Sequence, residues 1–274
     1  MRIEIGGADI FFDVVGSGLD ADMQPRPTLV MLHGGPGYDQ STLRPHFDVY
    51  ADIAQVVYLD HRGCGRSGGA PETWTLDRWA DDVAELCARL GIARPWVLGQ
   101  SFGGMVAMRL ATRHPGLASK LVLSSTAAKF ELEETVRMAG SLGGPEAAAA
   151  ARQLFTAPSA EAYANYARVC LPLYTRGGSV TRAHAIHKPE VTVHFFDGEM
   201  RDMDMRADLA AVEVPTLVLG GALDPVTPVL CSEEIAAAIG DNADLRIFEG
   251  CGHGVYRDDP AGADAVIRAF LQGA

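Results

Sequence analysis

The stretch Gly99-Gln100-Ser101-Phe102-Gly103 constrains this chain more than any other. A short apolar run, Trp96-Val97-Leu98, leads into it, and a helical pattern, Met105-Val106-Ala107-Met108-Arg109-Leu110-Ala111, leads out. A G-x-S-x-G element between a strand and a helix predicts a sharp turn that presents the serine side chain. Such a turn strains the serine backbone, and neighbours without a Cβ leave room for it. Ser101 is then expected at the carboxyl edge of a sheet, with a helix N-terminus beneath it.

The rest of the chain supplies that sheet. Arg2 to Ile5 and Ile10 to Val15 read as opening strands, followed by a loop marked by Gly16-Ser17-Gly18, Pro25 and Pro27. Thr28-Leu29-Val30-Met31-Leu32 and Val56-Val57-Tyr58-Leu59 are continuous apolar runs, the pattern of strands buried on both faces. Leu121-Val122-Leu123, Thr216-Leu217-Val218-Leu219 and Leu245-Arg246-Ile247-Phe248 follow later. Helical spacing is clearest over Leu76 to Leu90, where Trp79, Val83, Leu86, Cys87 and Leu90 recur on one face. Strands alternating with helices predict a mostly parallel sheet covered on both sides.

The alternation stops between about Thr126 and Ala211. Helix formers dominate there, with a helix expected from near Pro145 through the alanine run Ala147 to Ala151. Gly177-Gly178 and Lys188-Pro189 break the segment again. The expected organisation is a core of residues 1–125 and 212–274 with a helical cap, 126–211, inserted over the strand ends. Such a cap shapes a pocket and excludes water.

A serine hydroxyl is a weak nucleophile and needs a histidine to take its proton and an acid to orient that histidine. Asp224 lies just past the Thr216 to Leu219 strand, and His253 lies in the loop after the Leu245 to Phe248 strand. Both therefore reach the same sheet edge as Ser101. Asp202, Asp204, Asp258 and Asp259 are rival acids, but none ends a comparable strand. His114 sits beside Pro115 at the end of the elbow helix; His184, His187 and His194 fall in the insertion. An oxyanion needs two donors. The backbone N–H of Phe102 is one, and His33-Gly34-Gly35-Pro36-Gly37 after the Thr28 to Leu32 strand offers the other from Gly35, with Gly34 an alternative. That loop carries neither G-x-G-x-x-G nor a P-loop, so a nucleotide site is not expected. Asp60-His61-Arg62-Gly63-Cys64-Gly65-Arg66-Ser67 is read as a structural brace around the elbow.

Composition narrows the partners. A formal net charge of −12 argues against nucleic acid and an anionic membrane. The charged start, Met1-Arg2-Ile3-Glu4-Ile5, is unlike a signal peptide, and no apolar run suits a membrane span, so a cytoplasmic protein acting on a small molecule is expected. The five cysteines are scattered without C-x-x-C, which predicts buried free thiols and no zinc site. Neither a metal nor a cofactor is expected. The oligomeric state is left open.

Together, the loop at His33 to Gly37, the Asp60 to Ser67 segment and Gly99-Gln100-Ser101-Phe102-Gly103-Gly104 resemble the signature set of proline iminopeptidases in the α/β-hydrolase superfamily. Val214-Pro215-Thr216-Leu217 leading to Asp224, and Gly252-His253, extend the resemblance from about residue 10 to 270. It implies an α/β-hydrolase fold and a cofactor-independent serine hydrolase that works through an acyl-enzyme. The chain also departs from the pattern. Phe102 stands where the iminopeptidases have tryptophan, and Val193 and His194 fall where an amine-binding glutamate is expected. Glu199, or Glu131, Glu133 and Glu134, are the acidic substitutes, and Gly34, Glu199 and His194 are the candidate substrate contacts. The insertion is short for an iminopeptidase. The expected activity is cleavage of a small amide or ester, with a carboxylesterase or lactonase selecting an apolar acyl group as the alternative. A non-catalytic receptor on this fold would have no reason to keep serine, aspartate and histidine together, and a dehalogenase would carry aspartate at position 101.

Overall fold

A computed structural model describes residues 1–177 and 184–273; Gly178, one of the expected helix breakers, lies outside them. Arg2–Ile5 (β1) and Ala8–Val15 (β2) form an antiparallel hairpin that joins a sheet edge. Thr28–Leu32 (β3), Gln55–Leu59 (β4), Trp96–Gln100 (β5), Lys120–Ser124 (β6), Thr216–Gly221 (β7) and Ala243–Phe248 (β8) then pair in parallel. The eight strands run in the order β1-β2-β4-β3-β5-β6-β7-β8.

The helices are α1 (Leu76–Leu90), α2 (Phe102–Arg113), α3 (Leu132–Thr156), α4 (Ala160–Val169), α5 (Pro189–Asp197), α6 (Arg206–Leu209), α7 (Val229–Ile239), α8 (Val255–Asp258) and α9 (Pro260–Gln272). Alternate strand residues feed two cores. Val30, Leu32, Val57, Leu59, Val97, Leu121 and Leu123 pack on the face of α1 and α2, while Leu29, Met31, Val56, Tyr58, Leu98 and Val122 pack on the face of α9. Period-2 side chains on continuously apolar strands leave no solvated face, which is why these strands read as runs in the sequence.

Helix α1 shows how local signals set boundaries. Thr75 caps it by accepting the N–H of Arg78 at 3.2 Å, and Gly91 ends it in the left-handed region with φ 67°. A cap of this kind contributes about 1 kcal/mol. Helix α3 differs from the expectation at Pro145. It begins earlier, at Leu132, and bends at Gly144, where φ is 74° and ψ is −171°. Proline at the next position is tolerated because the second half starts afresh there.

Helices α3 to α6 all lie between β6 and β7. The two ends of this segment meet: Lys129 and Asp204 form an antiparallel bridge, and the Met205 N–H donates to the Ala128 carbonyl at 2.9 Å. The chain therefore leaves the sheet and returns at one place.

The Asp60 to Ser67 loop braces the elbow region. Arg62 forms a two-pronged pair with Asp82, at 2.8 and 2.6 Å, and donates to the Ile5 carbonyl at 2.8 Å. Both side chains are almost wholly buried, so the pairing is what makes burying either charge tolerable. The Arg62 carbonyl accepts from Trp79 Nε1 at 2.9 Å, and the Trp79 ring meets Phe102 edge-on at 4.8 Å. Ser67 donates to the Asp60 carbonyl and accepts from the Phe11 N–H, tying the loop to β2.

Candidate active site

Ser101 occupies φ 54° and ψ −120°, a strained conformation for a residue with a side chain. Its surroundings hold it there. The Ser101 N–H donates to the Ser124 carbonyl at 2.9 Å, and its own carbonyl accepts from Thr126 Oγ1 at 2.7 Å and from the Gly104 N–H at 2.8 Å. The two motif glycines are where the backbones touch. A Cβ on Gly99 would run into the backbone of Gly103 and Gly104, and one on Gly103 would run into the carbonyls of Leu32 and His33. The motif is therefore a packing requirement between β5, α2 and β3.

The Asp224 and His253 side chains converge on Ser101. His253 Nε2 lies 3.0 Å from Ser101 Oγ, and His253 Nδ1 lies 2.8 Å from Asp224 Oδ2. A carboxylate only accepts, which assigns the ring proton to Nδ1 and leaves Nε2 to receive the serine proton. Asp224 is 0% exposed and His253 3%. The remaining capacity of the carboxylate is used: Oδ1 accepts the Val226 and Thr227 N–H groups at 2.8 and 2.9 Å, and Oδ2 accepts Thr227 Oγ1 at 2.8 Å. The Asp224-Pro225-Val226-Thr227 turn thus holds the carboxylate in one orientation. His253 is also held from the insertion, because its N–H donates to the Tyr174 carbonyl at 2.8 Å and the Tyr174 ring packs edge-on at 4.8 Å.

The loop after β3 faces the elbow across the point where strand order reverses, β4-β3-β5, the usual ligand crevice of an open parallel sheet. Gly35 has φ 63°, and a Cβ on Gly34 would overlap the Gln100 side chain. His33 orients the peptide between them. Its Nε2 accepts the His61 N–H at 3.0 Å, so Nδ1 carries the proton and donates to the Gly34 carbonyl at 3.1 Å. In a trans peptide, fixing the Gly34 C=O fixes the Gly35 N–H in the opposite direction. Among the described residues, no hydrogen bond uses the Gly35 N–H or the Phe102 N–H. Phe102 opens α2, where N–H groups lack helical acceptors. Helix α5 buttresses the loop: Thr192 Oγ1 donates to the Pro36 carbonyl, and the Lys188 N–H to the Gly37 carbonyl at 2.9 Å.

Ser101, His253, Gly34, Gly35 and Phe102 line a cavity of about 820 Å³, counting its open mouth. Leu154, Phe155, Phe195, Phe196 and Met200, all from the α3–α6 segment, supply its roof. No carboxylate lines it among the described residues.

Glu199 and His194, offered as substrate contacts, do not line it. Glu199 Oε2 accepts the Leu76 N–H at 2.7 Å, serving as a second cap for α1. His194 is exposed and meets Trp74 edge-on at 5.4 Å. Glu131, Glu133 and Glu134 pair with Lys129, Arg152 and Arg137. Three of the four rival acids are occupied elsewhere: Asp204 binds Arg206, Asp258 accepts the Gly252 and Arg176 N–H groups, and Asp259 accepts the Gly262 N–H; Asp202 does not line the cavity. Cys251 is buried, and burial pushes its thiol up to about 11, which makes it a poor nucleophile at neutral pH. All five cysteines are free and buried. Among the described residues, no cluster could hold a metal ion and no helix is long and apolar enough to cross a membrane.

Three residues at the site escaped sequence reasoning. Thr227 had a local signal, an Asp-x-x-Thr turn. His33 stood directly before the two glycines. Tyr174 had none, since it reaches His253 only through the tertiary fold.

A family model described as alpha/beta hydrolase fold matches residues 27–260. The proline iminopeptidase of Lactobacillus helveticus (strain DPC 4571) is 30% identical over 90% of this chain and 88% of its own length. A protein of Rhizobium rhizogenes named "Putative carbamate hydrolase RutD" is 29% identical over 93% of this chain and 95% of its own. In structure, the enol-lactonase from Burkholderia xenovorans LB400 matches with a TM-score of 0.73 at 23% identity, covering 99% of this chain and 100% of that one. Strand order, helical layers and family match agree: this chain belongs to the alpha/beta hydrolase family and is a hydrolase.

Proposed function

We propose that the chain is a serine hydrolase in which Ser101 attacks a carbonyl carbon, His253 carries the proton and Asp224 orients His253. The observation that carries this reading is the continuous hydrogen-bonded series from Ser101 Oγ through His253 to Asp224, opening on one cavity. Attack moves the serine proton to His253 Nε2 and forms a bond from Oγ to the carbonyl carbon. The oxyanion meets the N–H groups of Phe102 and Gly35. His253 then gives its proton to the leaving group, which departs and leaves an acyl-serine. Water, deprotonated by the same imidazole, releases the acyl group and restores Ser101. Asp224 stays ionised throughout and stabilises the imidazolium.

Residues 126–211 act in this reading as a cap that excludes water and selects the acyl group. A mostly apolar roof with no carboxylate favours an ester or lactone with an apolar acyl chain. A peptidase that captures a free amino group needs an anionic partner for it. The iminopeptidase reading rests on the 30% identical relative, and an amide and an ester would use the same series of atoms. This reading takes the reaction to be cytoplasmic.

The test is a panel of 4-nitrophenyl esters of graded length, lactones and proline 4-nitroanilide, with wild type and Ser101→Ala. Ester or lactone turnover, lost in Ser101→Ala, is the expected result. Turnover of the proline amide in preference to every ester would replace this substrate reading with the peptidase one. Undiminished turnover in Ser101→Ala would contradict the mechanism.

A further inference from the structure

The cavity has two unlike ends. Leu154, Phe155, Phe195 and Met200 are buried and make the roof mostly apolar, with the hydroxyls of Tyr163, Tyr166, Tyr174 and Thr192 as its polar groups and no charge. Tyr38, Thr42 and Arg257 are half-buried and form part of the mouth. Arg257 is the only lysine or arginine lining the cavity among the described residues. It lies on α8, which begins just after His253.

The guanidinium is held but not neutralised. Nη2 donates to the Thr42 carbonyl at 3.1 Å, and the group lies over the Tyr256 ring with 4.7 Å to its centroid. Among the described residues, no carboxylate forms an ion pair with it. The neighbouring acids are engaged elsewhere: Asp258 accepts the Gly252 and Arg176 N–H groups, and Asp259 accepts the Gly262 N–H. Most other half-buried arginines here have carboxylates, as Arg44 has Asp13 and Asp48, and Arg109 has Asp77; Arg26, which donates to the Ala51 and Asp52 carbonyls, is an exception remote from the cavity lining. A guanidinium offers five N–H donors in a planar fork, the geometry that fits a carboxylate. What sets Arg257 apart is its place: it has no acid and lines the same cavity as Ser101, where an anion from outside the chain could reach it.

We propose that Arg257 binds a carboxylate of the substrate, so that the substrate is an ester or lactone with an apolar acyl portion and a free carboxylate. The inference rests on the serine-hydrolase reading above and specifies its substrate class. The apolar portion fills the roof under the cap, and the carboxylate stays at the half-buried mouth, where it keeps part of its hydration. Arg257 is a binding residue here and takes no part in proton transfer.

Two matched ester pairs test this. In 4-nitrophenyl hexanoate and mono(4-nitrophenyl) adipate the leaving group is constant and the acyl chain gains a carboxylate. In phenyl butanoate and 4-carboxyphenyl butanoate the carboxylate is on the leaving group. The quantity read is the ratio of kcat/KM, charged over neutral, after subtraction of spontaneous hydrolysis. In at least one pair, Arg257→Gln lowers that ratio by about ten- to a hundredfold, as expected for loss of a hydrogen bond between charged groups. Arg257→Lys restores part of it, and raising the salt lowers the ratio in wild type but not in Arg257→Gln. A ratio unmoved by Arg257→Gln in both pairs overturns the proposal. Binding is read apart from turnover by titrating Ser101→Ala, and Ser101→Ala with Arg257→Gln, with monoethyl adipate and ethyl hexanoate. Arg257-dependent preference for the charged ligand without any wild-type turnover would uphold the site and contradict the hydrolase mechanism. No such preference in either variant overturns the site.

Discussion

The carboxyl edge of the sheet and the helical segment above it are built on different terms. At the edge, backbone touches backbone. Gly99 and Gly103 leave no space for a Cβ, Ser101 is strained, and the polar atoms of Asp224 and His33 have named partners. Above it, the contacts to the cavity are uncharged and mostly apolar side chains such as Leu154, Phe155 and Phe196, with three tyrosines and Thr192 among them. Its charges pair with one another on the outside, as in Glu133 with Arg152 and Glu146 with Arg168. On the proposed mechanism the contrast separates two jobs. Placement of the reacting atoms would depend on backbone geometry that a single methyl group disturbs, and choice of substrate on side-chain volume that can vary without moving those atoms.

The sharpest way to break the comparison is at Asp224. An asparagine there cannot accept at every contact. Its amide NH2 either faces the Val226 and Thr227 N–H groups or faces His253 and drives the ring to the other tautomer. Asp224→Asn is expected to lower kcat by about 1,000- to 10,000-fold with little change in KM. Steady-state kinetics with one ester decides it, and a loss under tenfold would remove Asp224 from the mechanism.

Glycine substitutions compare the two regions directly. In Gly103→Ala the new methyl meets the Leu32 carbonyl, which is part of the sheet, so about 3 kcal/mol or more of stability is lost, together with activity. In Gly140→Ala the nearest atom is the Ala148 methyl at 3.2 Å, and helix propensity offsets the contact. That variant is expected to stay within about 1 kcal/mol of wild type. Urea unfolding of both tests the contrast, and equal losses would refute it.

In the roof, Phe155→Leu enlarges the apolar end. It should shift the preferred ester chain upward in length by several-fold in kcat/KM, at a cost of about 1 kcal/mol in stability. An unchanged chain-length profile would show that the roof does not touch the acyl group.

The smallest effect concerns acid. Burial holds His33 below its ordinary 6.5 and His61 well below it, and neither His61 ring nitrogen has a hydrogen-bond partner among the described residues. The unfolded chain therefore takes up protons first. Stability contributed at neutral pH falls as pH drops below 6.5 and levels off only below the folded values. His61→Phe keeps the backbone N–H that His33 accepts and removes one such proton. It should flatten the acid slope of stability by up to about 1.4 kcal/mol per pH unit. An unchanged slope would show that His61 does not contribute.

How much of this could be read beforehand also divides along the comparison. The strands that carry the edge were visible because burial on both faces makes them apolar runs, and the Gly99 to Gly103 motif marks a backbone collision. Asp224 and His253 followed from their places after strands. The roof was harder. Its residues are spread from α3 to the turn after α5, and helical spacing identifies a buried face without saying what it covers. Glu199 illustrates the difficulty: its charge suggested a ligand, but the fold brings it to the start of α1, where an unpaired N–H needs an acceptor. Pro145 marked the start of a helix but not the preceding half, because the N-cap residue Glu131 makes no side-chain cap that would announce it.

The central claim is that Ser101 is the nucleophile and His253 its base. The most direct test is labelling with a fluorophosphonate, followed by intact mass measurement and peptide mapping. One adduct per chain, on Ser101, is expected, with labelling lost in Ser101→Ala and slowed by orders of magnitude in His253→Ala. Stoichiometric labelling on any other residue, or labelling of His253→Ala at the wild-type rate, would contradict the account.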